Sequence, residues 1–166
     1  MSAIAASSTA MSAIAASSTA MSAIAASSTA MSAIAKSAVA LNRIIKVASA
    51  CTAIVAKISS YRSNVVSALA NTTYFSKTSG TTVGNGNTTA TAGLNTNTFY
   101  IPTGVYDDGD TTFKVYSGVD QSTQILSSAS HSGTTTVSSG VALRGVKVVG
   151  SGSTVGNVIF DVYTAK

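Results

Sequence analysis

Glutamate and tryptophan are absent from this chain, and cysteine, proline and histidine each occur once. Charged side chains make up 9% of the residues, against roughly a quarter in an average globular domain. A lone cysteine, Cys51, excludes an intrachain disulfide and reads as a small buried hydrophobe. A lone histidine leaves little room for catalysis. A serine hydrolase needs its imidazole between a nucleophile and an orienting acid, and His131, set between Ser130 and Ser132, reads as a solvated loop residue. Zinc needs three or four ligands, and Cys51 and His131 stand in separate regions. The Gly84-Asn85-Gly86 stretch has no lysine and no helical pattern after it, so it is no phosphate cradle. No enzymatic activity and no cofactor are expected.

Glycine, proline and acidic residues are all missing from residues 1–70. Loss of the two helix breakers predicts continuous helix there. What fills the segment is a ten-residue phrase, Met-Ser-Ala-Ile-Ala-Ala-Ser-Ser-Thr-Ala, written three times without change and a fourth time, from Met31, in altered form. Such a short period repeats one contact and cannot bring diverse side chains to one point. The period persists beyond the identical copies. Met1, Met11, Met21, Met31, Leu41 and Cys51 form one series, and Ile4, Ile14, Ile24, Ile34, Ile44 and Ile54 a second. Ser8, Ser18, Ser28, Ala38, Ala48 and Ile58 form a third. Spacings of three, four and three residues amount to a heptad with a stammer, about 3.3 residues per turn. This predicts one helix over 1–70, on the order of 100 Å long at 1.5 Å per residue. Its stripe is narrow and its Ser and Thr weaken it, so association of several chains in a coiled coil is expected. The oligomer seam would hold Met1, Ile4, Met11, Ile14, Met21, Ile24, Met31, Ile34, Leu41, Ile44, Cys51, Ile54 and Ile58. The alternative is a segment that folds only on a partner.

Charge is unevenly placed. Lys36, Arg43, Lys46, Lys57 and Arg62 carry the net positive charge, whereas residues beyond 70 balance five cations against five aspartates. Five cations spread along a helix without interleaved aromatics read as a solvated face, so no nucleic acid is expected. Met1–Ala10 lacks the basic start of a secretory signal. The most apolar window, Ala38 to Ile58, holds Arg43, Lys46 and Lys57, so no membrane span is expected. A surface-bound amphipathic helix is a further reading.

From Asn71 the composition turns to Asn, Thr, Ser and Gly. Residues 71–97 read as a connector, in which Thr78–Asn97 is a loop or a poorly patterned strand pair with Asn85-Gly86 as a tight turn. Alternating runs follow at Thr98–Ile101, Thr112–Tyr116, Thr123–Ser127, Thr134–Ser138, Val141–Val149 and Asn157–Tyr163. They predict a small antiparallel β-sandwich or jelly-roll-like tip over 98–166, with Val158, Phe160 and Val162 on one face. Asp107, Asp108 and Asp110, bent by Gly109, are the one candidate calcium site, through hard oxygens. Tyr106 beside them is the candidate ligand-facing aromatic of the tip.

Decapeptide repeats of this type, leading to a Gly/Ser/Thr-rich β-structured end, resemble fibre and tail-associated proteins of tailed bacteriophages. The run Leu143-Arg144-Gly145-Val146-Lys147-Val148-Val149-Gly150, followed by Val158-Ile159-Phe160-Asp161-Val162-Tyr163, is similar in style to their distal domains. The resemblance implies a structural virion protein, a homotrimeric shaft with a β-tip, assembled in the bacterial cytoplasm beside other virion proteins. It also implies two alternatives, a receptor- or glycan-binding module of the adsorption apparatus and a capsid or collar decoration fibre. Because the repeat begins at Met1, the N-terminal helices themselves are expected to insert into a partner ring.

Overall fold

The computed structural model describes residues 1–84, 88–129, 132–152 and 155–166. Its architecture is α+β, and the long N-terminal coiled-coil helix expected above is not formed. Instead the first 70 residues fold as short helices, about one per decad: α1 (Ser2–Ala6), α2 (Ser8–Ala16), α3 (Ser18–Ala26), α4 (Ser28–Ala35), α5 (Ala38–Ile45), α6 (Ala48–Ile58) and α7 (Arg62–Leu69), with a 3₁₀ turn at Ser59–Tyr61 between the last two.

The physical reason lies at the seventh position of the decad. Ser7, Ser17, Ser27 and Ser37 are extended, with ψ between 109° and 114°. Each hydroxyl accepts from the backbone N–H three residues on, at Ala10, Ala20, Ala30 and Ala40, over 3.2–3.3 Å. Serine thereby caps the next helix while its own N–H closes the previous one on Ile4, Ile14, Ile24 or Ile34. Val47 takes the same backbone conformation without a hydroxyl. One extended residue per decad turns the chain sharply, by 101° between α2 and α3.

Repeated turns of this size bring the chain round on itself every three decads. Helix α4 lies on α1, α5 on α2 and α6 on α3, and α7 then meets α4. The result is a spiral with three helices per coil. Bonds cross between successive coils: Ser37 Oγ donates to the Ala5 carbonyl (2.5 Å) and Arg43 Nη2 to Ser8 Oγ (2.6 Å) from the second coil to the first, and the Tyr61 hydroxyl, just past α6, donates to the Ser28 carbonyl at the start of α4 (3.2 Å). Ten of the thirteen residues expected at an interchain seam line the interior of this single-chain spiral, while Ile14 is half-buried and Met1 and Ile4 are exposed. Met11, Met21, Met31, Leu41, Cys51, Ile24, Ile34, Ile44, Ile54 and Ile58 are buried there. Alanines at the fifth and tenth positions, such as Ala5, Ala15, Ala30, Ala35, Ala40 and Ala50, are buried with them. Their small size lets neighbouring helix backbones come close.

The remaining residues form two antiparallel sheets. Strands β1 (Phe75–Val83), β9 (Gly156–Ala165), β3 (Thr98–Asp108) and β6 (Ser132–Thr136) lie side by side in that order, with β7 (Ala142–Leu143) also on β3. Strands β2 (Thr89–Ala92), β8 (Val146–Ser151), β4 (Thr112–Ser117) and β5 (Gln124–Ser127) form the second sheet. Residues 71–97 thus contribute β1 and β2. The Asn85-Gly86 turn lies outside the described residues.

Val105, Val158, Phe160 and Val162 of the first sheet pack against Phe113, Val115, Val146 and Val148 of the second. The opposite face of the first sheet is also covered, because Phe75, Phe99, Ile101, Leu143 and Tyr163 join the core of the spiral. Three layers result: spiral, first sheet, second sheet. Burial on both faces explains why β3 begins with a nearly continuous apolar run, Phe99-Tyr100-Ile101-Pro102. Edge-to-face ring pairs mark the two interfaces, Phe75 with Phe99 at 5.9 Å and Tyr100 with Phe160 at 5.6 Å.

Candidate functional site

Three polar side chains of the helical half, Asn42, Lys46 and Arg62, meet the sheet half at the junction, where Arg144 joins them from the other side. A helix end leaves carbonyls without intrahelical partners, and here basic and amide side chains supply them. Arg144 Nη1 donates to the Ile45 carbonyl at the end of α5 (2.9 Å) and to Asn97 Oδ1 (3.1 Å), while Nη2 donates to the Asn95 carbonyl (2.9 Å). A cation at that helix end also complements the helix dipole. Arg144 holds this place with φ of 58°, a left-handed conformation, and Gly145 follows at 97°. A β-carbon on Gly145 would lie 2.3 Å from the Gly93 carbonyl oxygen, so the close approach of the two loops requires glycine there.

Asn42, buried on α5, donates through Nδ2 to the carbonyls of Tyr74 (2.9 Å) and Lys166 (3.3 Å). Lys46 Nζ donates to the Lys166 carbonyl at 2.6 Å, and Arg62 Nη2 to the Pro102 carbonyl at 2.8 Å. Burial lowers the Arg62 pKa from its ordinary value, with Tyr163 and Asp161 opposing that shift. Three of the five helical cations, Arg43, Lys46 and Arg62, are therefore structural donors rather than a free basic face. Their use of hydroxyl and carbonyl acceptors explains how the segment manages without acidic residues.

The candidate calcium ligands do not converge. Asp107 is buried and its Oδ1 accepts from the backbone of Gly109 (3.2 Å) and Thr111 (3.3 Å). Asp108 and Asp110 are exposed, and Asp108 accepts from the Tyr106 hydroxyl. That bond, with the charge of Asp108, raises the Tyr106 pKa. Among the described residues no group of three metal-ligating side chains comes together. The acidic turn is a self-capped loop, with one carboxylate holding the backbone and another engaged by Tyr106.

Cys51 Sγ lies 3.2 Å from the Ile44 carbonyl inside the spiral, and burial pushes its pKa up to about 12. Such a thiol is unreactive. His131 lies outside the described residues. An open groove of about 400 Å³ is lined by Leu126, Ser127 and Ser128 at the end of the second sheet and by Val105, Thr135 and Ser139 at the edge of the first. Its polar lining is hydroxyl only. No single helix among the described residues is long and apolar enough to cross a membrane, in keeping with the expectation of no span.

No protein-family model matches the chain, and a search of curated proteins finds no match.

The sequence reading missed the capping serines and the junction residues. The serines carried only a partial signal. Ser7, Ser17, Ser27 and Ser37 persist through the fourth copy while the eighth position has already become Ala38, but Ser2, Ser12, Ser22 and Ser32 persist equally. Arg144 had no comparable signal, because its partners, the Ile45 and Asn95 carbonyls and Asn97 Oδ1, lie 47 to 99 residues away in the chain.

Proposed function

We propose that this chain is a structural, non-enzymatic component of a tailed-bacteriophage particle, of the tail-fibre or tail-associated kind. The spiral is a spacer built from repeated units, and the sandwich is the tip it carries. The observation that supports this reading is the junction. Asn42, Lys46, Arg62 and Arg144 are used to bond spiral to sheets, which suits a part that transmits position rather than turns over a substrate. The resemblance of the decapeptide to phage fibre repeats supplies the setting, and other virion proteins are the partners it implies. The test is mass spectrometry of gradient-purified particles from a culture that expresses the chain, with immunogold labelling to locate it on tail, collar or capsid. Its absence from particles overturns the proposal.

A second reading makes the tip a recognition module for a host-surface glycan or protein, on the strength of the hydroxyl-lined groove at the sandwich edge. Purified full chain added to host cells separates the two. Competition with particle adsorption identifies recognition, whereas presence in the particle without competition identifies a purely structural part.

A further inference from the structure

The two coils of the spiral are built to one pattern yet are buried unequally. Ile34 is 0% exposed and Met31 1%, whereas their counterparts three decads earlier, Ile4 and Met1, are 40% and 46% exposed. Ala40 and Ala50 are buried, and their counterparts Ala10 and Ala20 are half-buried. The difference has a single structural origin. Helices of the second coil lie between the first coil on one side and α7 and the sheets on the other, whereas those of the first coil are covered on one side. The end away from the sheets is therefore open. Residues 1–35 carry no charged side chain, so the polar groups of that end are serine and threonine hydroxyls, without the charges that would disfavour a further apolar coil.

We propose that this open end binds one further coil of the same decapeptide, three units long, presented by another polypeptide. What covers the face is indicated by the interface already in the molecule. The first coil consists of three identical decads, and its upper side already accepts a coil of the same pattern. An added coil of that sequence would meet the first as the first meets the second. Ser37 illustrates the fit: it accepts from Ala40 N–H and donates across the coils to the Ala5 carbonyl. Ser7 holds the same place in the first coil and already makes the same cap to Ala10. It would donate to the corresponding alanine carbonyl of the incoming coil. The Arg43–Ser8 bond would have no counterpart, since Ala13 stands at the position equivalent to Arg43. The interface offered is thus one of Ile, Met, Ala and Ser. This inference concerns the spiral alone and does not depend on the chain's being a virion protein.

The experiment mixes the full chain with a synthetic thirty-residue peptide, Met-Ser-Ala-Ile-Ala-Ala-Ser-Ser-Thr-Ala repeated three times, and with a shuffled peptide of equal composition. Sedimentation and circular dichroism read the outcome. The expected result is a one-to-one complex with more helix than the sum of its parts, formed by the repeat peptide and not by the shuffled one. Ile4→Asp, at an exposed position of α1, should weaken the complex at least tenfold while leaving the chain's own melting unchanged. Failure of the repeat peptide to bind overturns the proposal, as does binding that Ile4→Asp does not affect. A full chain that pairs with a second copy through this face, and so excludes the peptide, overturns it equally.

Discussion

In the spiral each helix packs on its sequence neighbours and on the helix three decads away, whereas in the sandwich the first strand, β1, pairs with the last, β9. One half accumulates its core by repetition, as solenoids do, with energy added coil by coil. The other closes its core only when distant segments meet, which costs loop entropy before any contact repays it. The difference teaches where tolerance should lie. A change at the open end of the spiral alters one unit, while a change in β9 touches β1, β3 and the core on both faces of the first sheet.

The sharpest way to break the comparison is at the layer the two halves share. Phe99 is fully buried between them and stacks edge-to-face on Phe75. Phe99→Ala should cost about 3–5 kcal/mol, the range for truncating a buried aromatic. Denaturant unfolding followed by helical dichroism and by tyrosine fluorescence should show both signals shifting together. A tyrosine transition that moves while the helical one stays put would mean that spiral and sandwich are independent.

Arg144 tests the polar part of the same joint. Glycine adopts its left-handed backbone conformation readily, so Arg144→Gly isolates loss of the guanidinium from loss of the turn. Leaving the carbonyls of Ile45 and Asn95 without this donor should cost about 1–3 kcal/mol, read as a lowered denaturation midpoint. No change would assign the joint wholly to apolar packing.

These expectations also show what could be read from the sequence. The residues that line the spiral were legible, because Met11, Ile34, Leu41, Ile44 and Ile54 recur with the decad and hydrophobic recurrence finds buried positions. The shape they build was not. A period of ten with two apolar anchors fits both an overwound continuous helix and a chain of capped short ones, and apolar spacing alone does not separate them. At four of the five turns the cap is a serine hydroxyl, one of four hydroxyls per identical decad, and at Val47 the chain turns without one. In the second half, alternation placed Val158, Phe160 and Val162, all buried in the sandwich core. Over β1 and β2 it offered only a loop or a poorly patterned strand pair, because their Thr-, Ser- and Ala-rich stretches carry few apolar residues to alternate, and the two strands pair instead with β9 and β8 in separate sheets. For the acidic turn, the sequence brought three carboxylates near one another, but the backbone N–H groups of Gly109 and Thr111 claimed Asp107.

The capping serines give a graded test within the spiral. Ser37→Ala removes both the cap to Ala40 and the bond to the Ala5 carbonyl between coils. It should lower stability by about 1 kcal/mol, within the range of N-cap losses. Ser7→Ala removes the same cap at the open end, where a helix can fray without disturbing the rest, so its effect on the midpoint should be smaller. Equal losses would contradict additive, coil-by-coil stability.

The smallest expected effect concerns pH in a loop of the sandwich. Burial pushes the Asp120 carboxyl pKa up, but bonds from the Thr123 hydroxyl (2.5 Å) and from the Thr123 and Ser122 amides (3.1 and 3.2 Å) outweigh it and hold the pKa below its ordinary value. A carboxyl whose pKa is depressed by folding stabilises the folded chain above its unfolded pKa, about 3.9. That contribution disappears as pH falls through the lower, folded value. Wild type should therefore melt above Asp120→Asn by a constant margin between about pH 5 and 7, and the margin should shrink below about pH 4. The asparagine oxygen can still accept from the amides but its NH₂ cannot accept from the Thr123 hydroxyl, so the pH dependence of the margin, rather than its size, isolates the charge. If it stays unchanged well below pH 4, the bonds matter through their geometry and the carboxylate charge contributes nothing.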